Sequence, residues 1–154
     1  MDGVIRQQKR DYFRLQLVPP LCSRMTIVMI RGKSMEVGST DVLIEDLGGG
    51  GLRFLSDLKL PVNDQLVLQF ETEVFSQQLK MFGHVVRSGN WNETIYEYAV
   101  KFTMDDSAHA GINRVVNLLA IRMRKRSSLP SGLFWEGEKY QFFAKVNTTE
   151  PQLV

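Results

Sequence analysis

The chain has 154 residues, 44% of them hydrophobic and 23% charged, a composition typical of one globular domain and not of a disordered or fibrous chain. Lys and Arg number 19 against 17 Asp and Glu, so the formal net charge of +2 is too small to indicate a general binder of nucleic acid or anionic membranes. The single cysteine excludes an internal disulfide framework and favours a reducing compartment, so we expect a cytoplasmic protein.

The N-terminal segment is polar and basic and has no alternating or helical apolar pattern. We interpret residues 1–14 as an arm that becomes ordered on ligand binding. No apolar region follows its charges, and no stretch of the chain approaches the ~20 apolar residues of a membrane span. Neither export nor a membrane span is therefore expected.

A series of short strands follows, each bounded by Gly, Pro, Asn or Asp. The alternating segments start after Pro19-Pro20 and are interrupted by the glycine run Gly48–Gly51. In chain order they are Met25–Ile30, Val42–Glu45, Leu52–Phe54, Leu66–Phe70, Leu79–Val85 and Tyr96–Phe102. This pattern predicts an all-β antiparallel barrel or sandwich rather than a βαβ sheet.

One amphipathic helix is predicted after the strands. Asp105-Asp106-Ser107 supplies cap residues, and apolar residues recur at helical spacing from Ile112 to Met123. Strands and helix make residues 15–126 one unit. Residues 127–154 form a partly flexible C-terminal extension, in which the aromatic stretch Leu133–Phe143 is expected to cover a barrel edge or a partner chain.

The first motif with a chemical use is a pair of arginines. Arg10 and Arg14 are four positions apart at the end of the arm, and guanidinium groups suit both bidentate phosphate contacts and stacking on a base. Arg6 and Arg10 have the same spacing, so spacing does not choose between the two registers. Taken by itself, a basic arm is more often only solvated.

The second motif is the segment from Asp46 through the glycine run Gly48–Gly51. Glycines let a ligand approach the backbone amides, and the carboxylate of Asp46 accepts hydrogen bonds such as those of a guanine edge. Glycine runs between strands are more often tight turns without a ligand. Each motif is therefore ambiguous when considered alone.

Together, Arg10-x-x-x-Arg14 and Asp46-x-Gly48-x-x-Gly51 resemble the paired signatures of the PilZ domain family, RxxxR and [DN]xSxxG. The resemblance extends roughly from Arg6 to Arg124 and includes Leu60–Leu68, Gly83–Arg87 and Tyr98–Phe102. It implies a six-stranded antiparallel β-barrel with a flanking C-terminal α-helix. It also implies that the ligand is the bacterial second messenger cyclic di-GMP, often bound as an intercalated dimer, and that no cofactor is needed.

The resemblance also implies roles for individual residues. Arg10 and Arg14 would grip phosphates and guanines, Asp46 would contact a guanine, and Gly51 would give the turn its close approach. Phe13, directly before the first strand, favours the Arg10/Arg14 register. The complete predicted ligand-binding set is Arg6, Lys9, Arg10, Arg14, Asp46, Gly48, Gly51 and Arg53, with Arg6 and Lys9 auxiliary.

One position departs from the family pattern, because Gly48 stands where the family has serine. The missing hydroxyl removes a hydrogen bond worth about 0.5–1.5 kcal/mol. We therefore expect binding to be retained with an affinity lowered by roughly tenfold, in line with that energy.

The function that the resemblance implies is a stand-alone receptor and not an enzyme. Cyclic di-GMP would draw the arm across the barrel and expose a face for a protein effector of motility, secretion or exopolysaccharide machinery, with the receptor a monomer or homodimer. Two alternatives remain: a degenerate PilZ adaptor that binds no nucleotide, and a barrel that binds nucleic acid. The low net charge and the lack of an aromatic platform disfavour the nucleic-acid binder.

The remaining reactive side chains have ordinary structural explanations. His84 and His109 have no partner at metal-ligand spacing, so no metal site is expected. Asp105 and Asp106 stand where a helix cap is needed. Cys22 has no sequence context that would activate it as a nucleophile, and nothing in the chain supports catalysis.

Overall fold

The computed structural model describes residues 12–34, 38–125 and 133–149. Within these ranges the elements, in chain order, are β1 (Arg14–Ile30), β2 (Lys33–Ser34), β3 (Ser39–Gly48), β4 (Gly51–Ser56), β5 (Leu66–Val74), β6 (Gln77–Asn90), β7 (Tyr96–Phe102), α1 (Asp106–Lys125) and α2 (Lys139–Thr149). Neither of the two helices is long and apolar enough to cross a membrane.

Six of the strands close into an antiparallel ring. Their order is β1-β3-β4-β7-β6-β5, and β1 also pairs with β5, which completes the ring; the two-residue β2 only adds a hairpin to β1. The predicted fold class, a six-stranded antiparallel closed sheet with a flanking helix, is confirmed.

The interior of the ring follows from the alternation of side chains along each strand. In β5, for example, Leu66, Leu68 and Phe70 are buried and their neighbours are not. Phe54 contacts both Phe70 and Tyr98, with ring centroids 5.1 and 5.2 Å apart. The apolar face of α1 belongs to the same cluster, through Ile112, Val115, Val116 and Leu119. The predicted helix therefore packs on the core of the ring.

The first strand differs from the prediction at its beginning. It begins at Arg14 and continues through Pro19-Pro20, whereas the sequence pattern placed the strand only after the prolines. The pairing of β1 with β3 shifts register between Gln16 and Leu21, where prolines have no N–H to donate to the ladder. The irregularity lets one strand carry both the end of the arm and the first side of the ring.

The C-terminal segment forms a second layer outside the ring. The backbone N–H of Cys22 donates to Leu133 at 2.6 Å and that of Trp135 to Pro20 at 2.9 Å. Helix α2, which no periodicity predicted, then places Phe142 and Phe143 in an apolar cluster with residues of the outer face and its edge, namely Leu43, Leu55 and Ile95. Strands β3 and β4 are consequently buried on both faces.

Candidate functional site

The register of β1 on β3 brings the two predicted motifs together. Arg14 lies opposite Gly48, and Gln16 lies opposite Asp46. The Nη2 of Arg14 donates a hydrogen bond to Oδ1 of Asp46 at 3.0 Å. Two residues that are 32 positions apart in the chain thus meet because the first strand begins as early as Arg14.

Arg53 contacts the same carboxylate from the opposite side. It faces Asp46 across the β3–β4 ladder, and its Nε donates to Oδ2 of Asp46 at 2.9 Å. Each oxygen of Asp46 therefore accepts a charge-assisted hydrogen bond from a different arginine. Of the predicted ligand-binding set, the structure brings Arg14, Asp46 and Arg53 into direct contact, while Arg6, Lys9 and Arg10 lie outside the described residues.

Three further charged residues extend this contact into a network. Nη1 of Arg53 donates to Oε1 of Glu45 at 3.0 Å and also to Glu97, and Oε2 of Glu45 accepts from Lys139 at the start of α2. We call these six residues the charge network: Arg14, Arg53, Lys139, Glu45, Asp46 and Glu97. It balances three positive charges against three negative ones.

Burial makes the charge network more than a set of surface ion pairs. The side chain of Glu45 is 9% exposed and that of Asp46 15%, whereas that of Arg14 is 30% exposed. Desolvation by itself would lower the pKa of Arg53, but its hydrogen bonds to Asp46 and Glu97 outweigh this effect, so the pKa lies above its usual value. Arg53 is thus a permanent cation, and Arg14 is the arginine that solvent reaches more easily.

Two buried polar atoms beside this cluster have no hydrogen-bond partner among the described residues, namely Nε of Arg14 and Oδ1 of Asn113. A β-carbon built on Gly48 would lie 3.0 Å from Arg14 Cγ, and one on Gly49 would lie 3.0 Å from Asn113 Cβ. Both orphaned atoms therefore belong to side chains that flank the glycine turn. Buried polar groups without partners are rare in folded proteins, and each of them is open to a hydrogen bond from a water, an ion or a ligand.

The glycines themselves have an intramolecular reason to lack side chains. A β-carbon on Gly48 would lie 2.6 Å from the carbonyl oxygen of Phe13, and one on Gly49 would lie 2.7 Å from the ring of Tyr12. A β-carbon on Gly51 would lie even closer to the carbonyl oxygen of Val100 on β7. The end of the arm therefore rests directly on the turn, and the ring needs Gly51 for the β4–β7 approach.

Helix α1 also reaches the glycine turn, through a residue that the sequence analysis set aside as structural or exposed. Nδ1 of His109 lies 2.8 Å from the carbonyl oxygen of Gly49. The His109 ring stacks on Tyr12, with centroids 5.9 Å apart and planes at 17°. His109 thus has a structural role at the turn. Its one sequence signal is its place in the first helical turns after β7, since β7 pairs with β4 beside the turn.

Asp105 and Cys22, two other reactive side chains, have ordinary structural explanations. The backbone N–H of Ala108 donates to Oδ1 of Asp105 at 2.8 Å, which confirms the predicted helix cap. Burial, followed by the charge of Asp41, raises the pKa of the Cys22 thiol to about 11, so this thiol is not activated. A groove of about 300 Å³ beside Cys22 contains none of the predicted ligand residues. Among the residues described, no cluster of three or more His, Cys, Asp and Glu side chains is placed to hold a metal.

Comparison with known proteins gives one family and several structural neighbours. A sequence profile described as "PilZ domain" matches residues 8–120, whereas no curated protein sequence matches the chain. YcgR from Escherichia coli in complex with c-di-GMP superposes with a TM-score of 0.56 at 17% identity, covering 78% of this chain and 50% of YcgR. The chain therefore spans about half the length of that protein.

Two other solved structures agree with this fold. The PilZ domain of Escherichia coli YcgR with c-di-GMP gives a TM-score of 0.54 at 15% identity, covering 78% of this chain and 98% of that one. The Bacillus subtilis inhibitor of motility MotI/DgrA gives 0.54 at 12% identity, covering 78% and 53%. At these identities the similarity establishes the shared fold.

Proposed function

The chain belongs to the PilZ domain family, and on that premise we propose that it is a receptor for cyclic di-GMP and not an enzyme. The observation that carries the proposal is the contact of Arg14 with Asp46 at 3.0 Å, because it joins the described residues of the two signature motifs. Two of the structural neighbours are complexes with c-di-GMP, which supports the choice of ligand. We place the receptor in the cytoplasm, where such a messenger acts.

The charges of the site fit a ligand that offers both anions and hydrogen-bond donors. Arg14 is the more exposed arginine of the pair on Asp46, so it can turn toward a phosphate or stack on a guanine. Asp46 then accepts hydrogen bonds from the N1–H and N2–H groups of guanine. Arg53 keeps its own hydrogen bond to Asp46 and so holds the carboxylate in place.

The arm supplies the remaining cations of the proposed site. Arg10 precedes Tyr12 by two residues, a span of at most about 7 Å, and Tyr12 already lies against the glycine turn. We therefore assign Arg10 to the phosphates, with Arg6 and Lys9 auxiliary. In this proposal residues 1–14 are the arm, 15–126 the binding unit, and 127–154 the extension.

The proposed output is an ordering of the arm that a protein partner detects. Ligand binding recruits the residues before Tyr12 across the site and changes the charge of that surface. One structural neighbour is described as an inhibitor of motility, so motility machinery is one candidate partner, beside secretion and exopolysaccharide machinery. Equal amide exchange of residues 1–11 with and without cyclic di-GMP would contradict this mechanism.

Calorimetric titration with cyclic di-GMP tests the proposal. We expect saturable binding by the unaltered chain. The affinity should fall by about tenfold to a hundredfold in Arg14→Ala, because a charge-assisted hydrogen bond contributes about 1.5–3 kcal/mol. Arg87→Ala is the matched control, since Arg87 is an exposed arginine of β6 outside the charge network. It should bind like the unaltered chain.

The alternative is an adaptor of the same fold that binds no nucleotide. Two observations favour it: Gly48 replaces the family's serine, and both oxygens of Asp46 are already hydrogen-bonded to arginines. The same titration separates the two functions. If the folded chain gives no heat with cyclic di-GMP and shows no competition with GTP, the adaptor function is correct.

A further inference from the structure

The C-terminal helix contacts the candidate ligand site through a buried carboxylate that belongs to neither signature motif. Glu45 directly precedes Asp46, and its two oxygens have different partners. Oε1 accepts from Arg53 at 3.0 Å, and Oε2 accepts from Lys139. Lys139 lies outside the span that the PilZ profile matches, residues 8–120.

A local irregularity of β3 makes this double contact possible. The pairing of β3 with β4 shifts register between Ile44 and Asp46, so Glu45 is the extra residue of a bulge. Successive residues of a regular strand point to opposite faces, and a bulge re-aims one of them. Glu45 and Asp46 can therefore both reach the guanidinium of Arg53.

The position of Lys139 is fixed by packing and not by the ion pair alone. The residues before it are held by the hydrogen bond from Trp135 to Pro20 at 2.9 Å. The residues after it include Phe142 and Phe143, which are buried against Leu43, Leu55 and Ile95. Lys139 also lies over the ring of Trp91, 5.8 Å from its centroid. Contacts on both sides of Lys139 thus hold the start of α2 in place against Glu45.

We propose that Lys139, acting through Glu45 and Arg53, is a positioning residue for Asp46, so that the C-terminal segment Leu133–Thr149 completes the cyclic di-GMP site. The inference rests on the proposed function. Guanidinium is planar and rigid, so holding its Nη1 edge on Glu45 and Glu97 fixes the Nε that is bonded to Asp46. Lys139 holds Glu45 where it can do this.

Loss of Lys139 changes the site in two ways that act in the same direction. The buried carboxylate of Glu45 loses one of its two cationic partners and draws Arg53 toward itself and away from Asp46. The charge network also passes from neutral to a net charge of −1, because its three carboxylates then face two cations. Both changes disfavour a ligand that carries two phosphodiester charges.

Coupling between two sites is reciprocal for binding free energies. If the contact of α2 with the ring through Lys139 strengthens the binding of cyclic di-GMP, the bound ligand must strengthen that contact by the same factor. Amide exchange in Lys139–Thr149 should therefore slow when ligand is added. Any ligand of the folded state slows exchange by global unfolding, so the relevant amides are those that exchange by local opening of α2. A purely structural role of the helix would not slow that local exchange.

The test compares three variants in the full chain by calorimetric titration with cyclic di-GMP. Lys139→Met should raise Kd by about fivefold, at the lower end of typical coupling between linked sites, and Lys139→Arg should restore most of the affinity because it keeps the charge at Glu45. Lys80→Met is the matched control. It removes an exposed lysine whose partner, Glu71, lies 3.9 Å away outside the charge network, and it should leave Kd unchanged.

A double-mutant cycle adds a readout that long-range charge alone would not move. In an Arg53→Met background, Lys139→Met should have almost no further effect on Kd, because the positioning path passes through Arg53. The same extra loss in both backgrounds would overturn the inference.

The outcomes separate this inference from the proposed function. If the unaltered chain binds cyclic di-GMP and Lys139→Met binds equally well, the inference is wrong and the receptor function stands. If the unaltered chain does not bind, both fall. Should Lys139→Met fail to fold, exchange of Lys139–Thr149 by local opening in the unaltered chain decides. If the ligand slows this local exchange, the inference is supported, and if the exchange is unchanged, the inference is overturned.

Discussion

Replacing Gly48 by serine separates the sequence-based expectation from the structural one. Serine is the residue of the family pattern, and the pattern alone predicts that Gly48→Ser restores a hydrogen bond to cyclic di-GMP. That bond, worth about 0.5–1.5 kcal/mol, would strengthen binding by up to about tenfold. The structure leads to the opposite expectation.

A β-carbon at position 48 has no space in this fold. It would lie 2.6 Å from the carbonyl oxygen of Phe13 and 3.0 Å from Cγ of Arg14. Phe13 directly precedes β1 and Arg14 is its first residue. Because the contact with Phe13 is with backbone, the chain must move to admit even an alanine. Over-packing of this kind costs about 1–3 kcal/mol, which is comparable to the expected gain or larger than it.

We therefore predict that Gly48→Ser and Gly48→Ala each lower the free energy of unfolding by about 1–3 kcal/mol. Neither variant should bind cyclic di-GMP more tightly, because the displaced residue Arg14 is itself part of the proposed site. Urea denaturation measures the stability and calorimetric titration the affinity. Gly89→Ala is the matched control, since a β-carbon there meets nothing within 4 Å.

The comparison of serine with alanine identifies the cause. If the β-carbon is responsible, the two variants lose similar stability while Gly89→Ala changes by less than about 0.5 kcal/mol. A Gly48→Ser variant that is as stable as the unaltered chain and binds cyclic di-GMP about tenfold more tightly would refute the reasoning. Phe13 could not then lie on the turn as described.

Two more predictions concern residues away from the site. Alkylation of Cys22 at pH 8 should be on the order of a hundredfold slower than that of an ordinary thiol of pKa ~8.5, because burial raises the pKa of Cys22 to about 11. The alkylation rate should increase with pH up to about that value. A fast reaction at pH 8 would be inconsistent with a buried thiol. Phe143→Ala should lower the free energy of unfolding by about 3 kcal/mol, since Phe143 is 3% exposed in the outer apolar cluster. Urea denaturation measures this change. A change under about 0.5 kcal/mol would show that α2 is not part of the folded unit.

The sequence was informative wherever the signal is local. Period-two alternation identified the strands, helical spacing identified α1, and Asp105 does cap that helix. The contact of Arg14 with Asp46 was within reach too, because both belong to motifs whose joint use the family resemblance implies. The early start of β1 was missed, since Pro19-Pro20 reads as a break although the strand accommodates it as an irregularity.

The outer layer was missed because its contacts are distant in sequence. Lys139 and Glu45 are 94 positions apart, and no spacing rule connects them. One signal did exist. A strand that is buried on both faces carries apolar residues in succession rather than in alternation, as in Val42–Ile44 of β3. Such runs require a second covering layer, and the aromatic stretch after residue 132 was available to provide it.

Under the proposed receptor function, the balance of charges in the network explains why a basic arm is needed. Three cations and three carboxylates already neutralise one another, so the network by itself has no surplus charge for a ligand with two phosphodiesters. Turning Arg14 toward the ligand would leave Asp46 dependent on Arg53 and on the guanine donors. Further cations must come from elsewhere, and Arg10 and Lys9 are the nearest in sequence. Affinity should therefore weaken more steeply with salt in the unaltered chain than in Arg10→Ala, because salt screens the attraction between a cation and a phosphodiester, with a Debye length of about 8 Å at physiological salt.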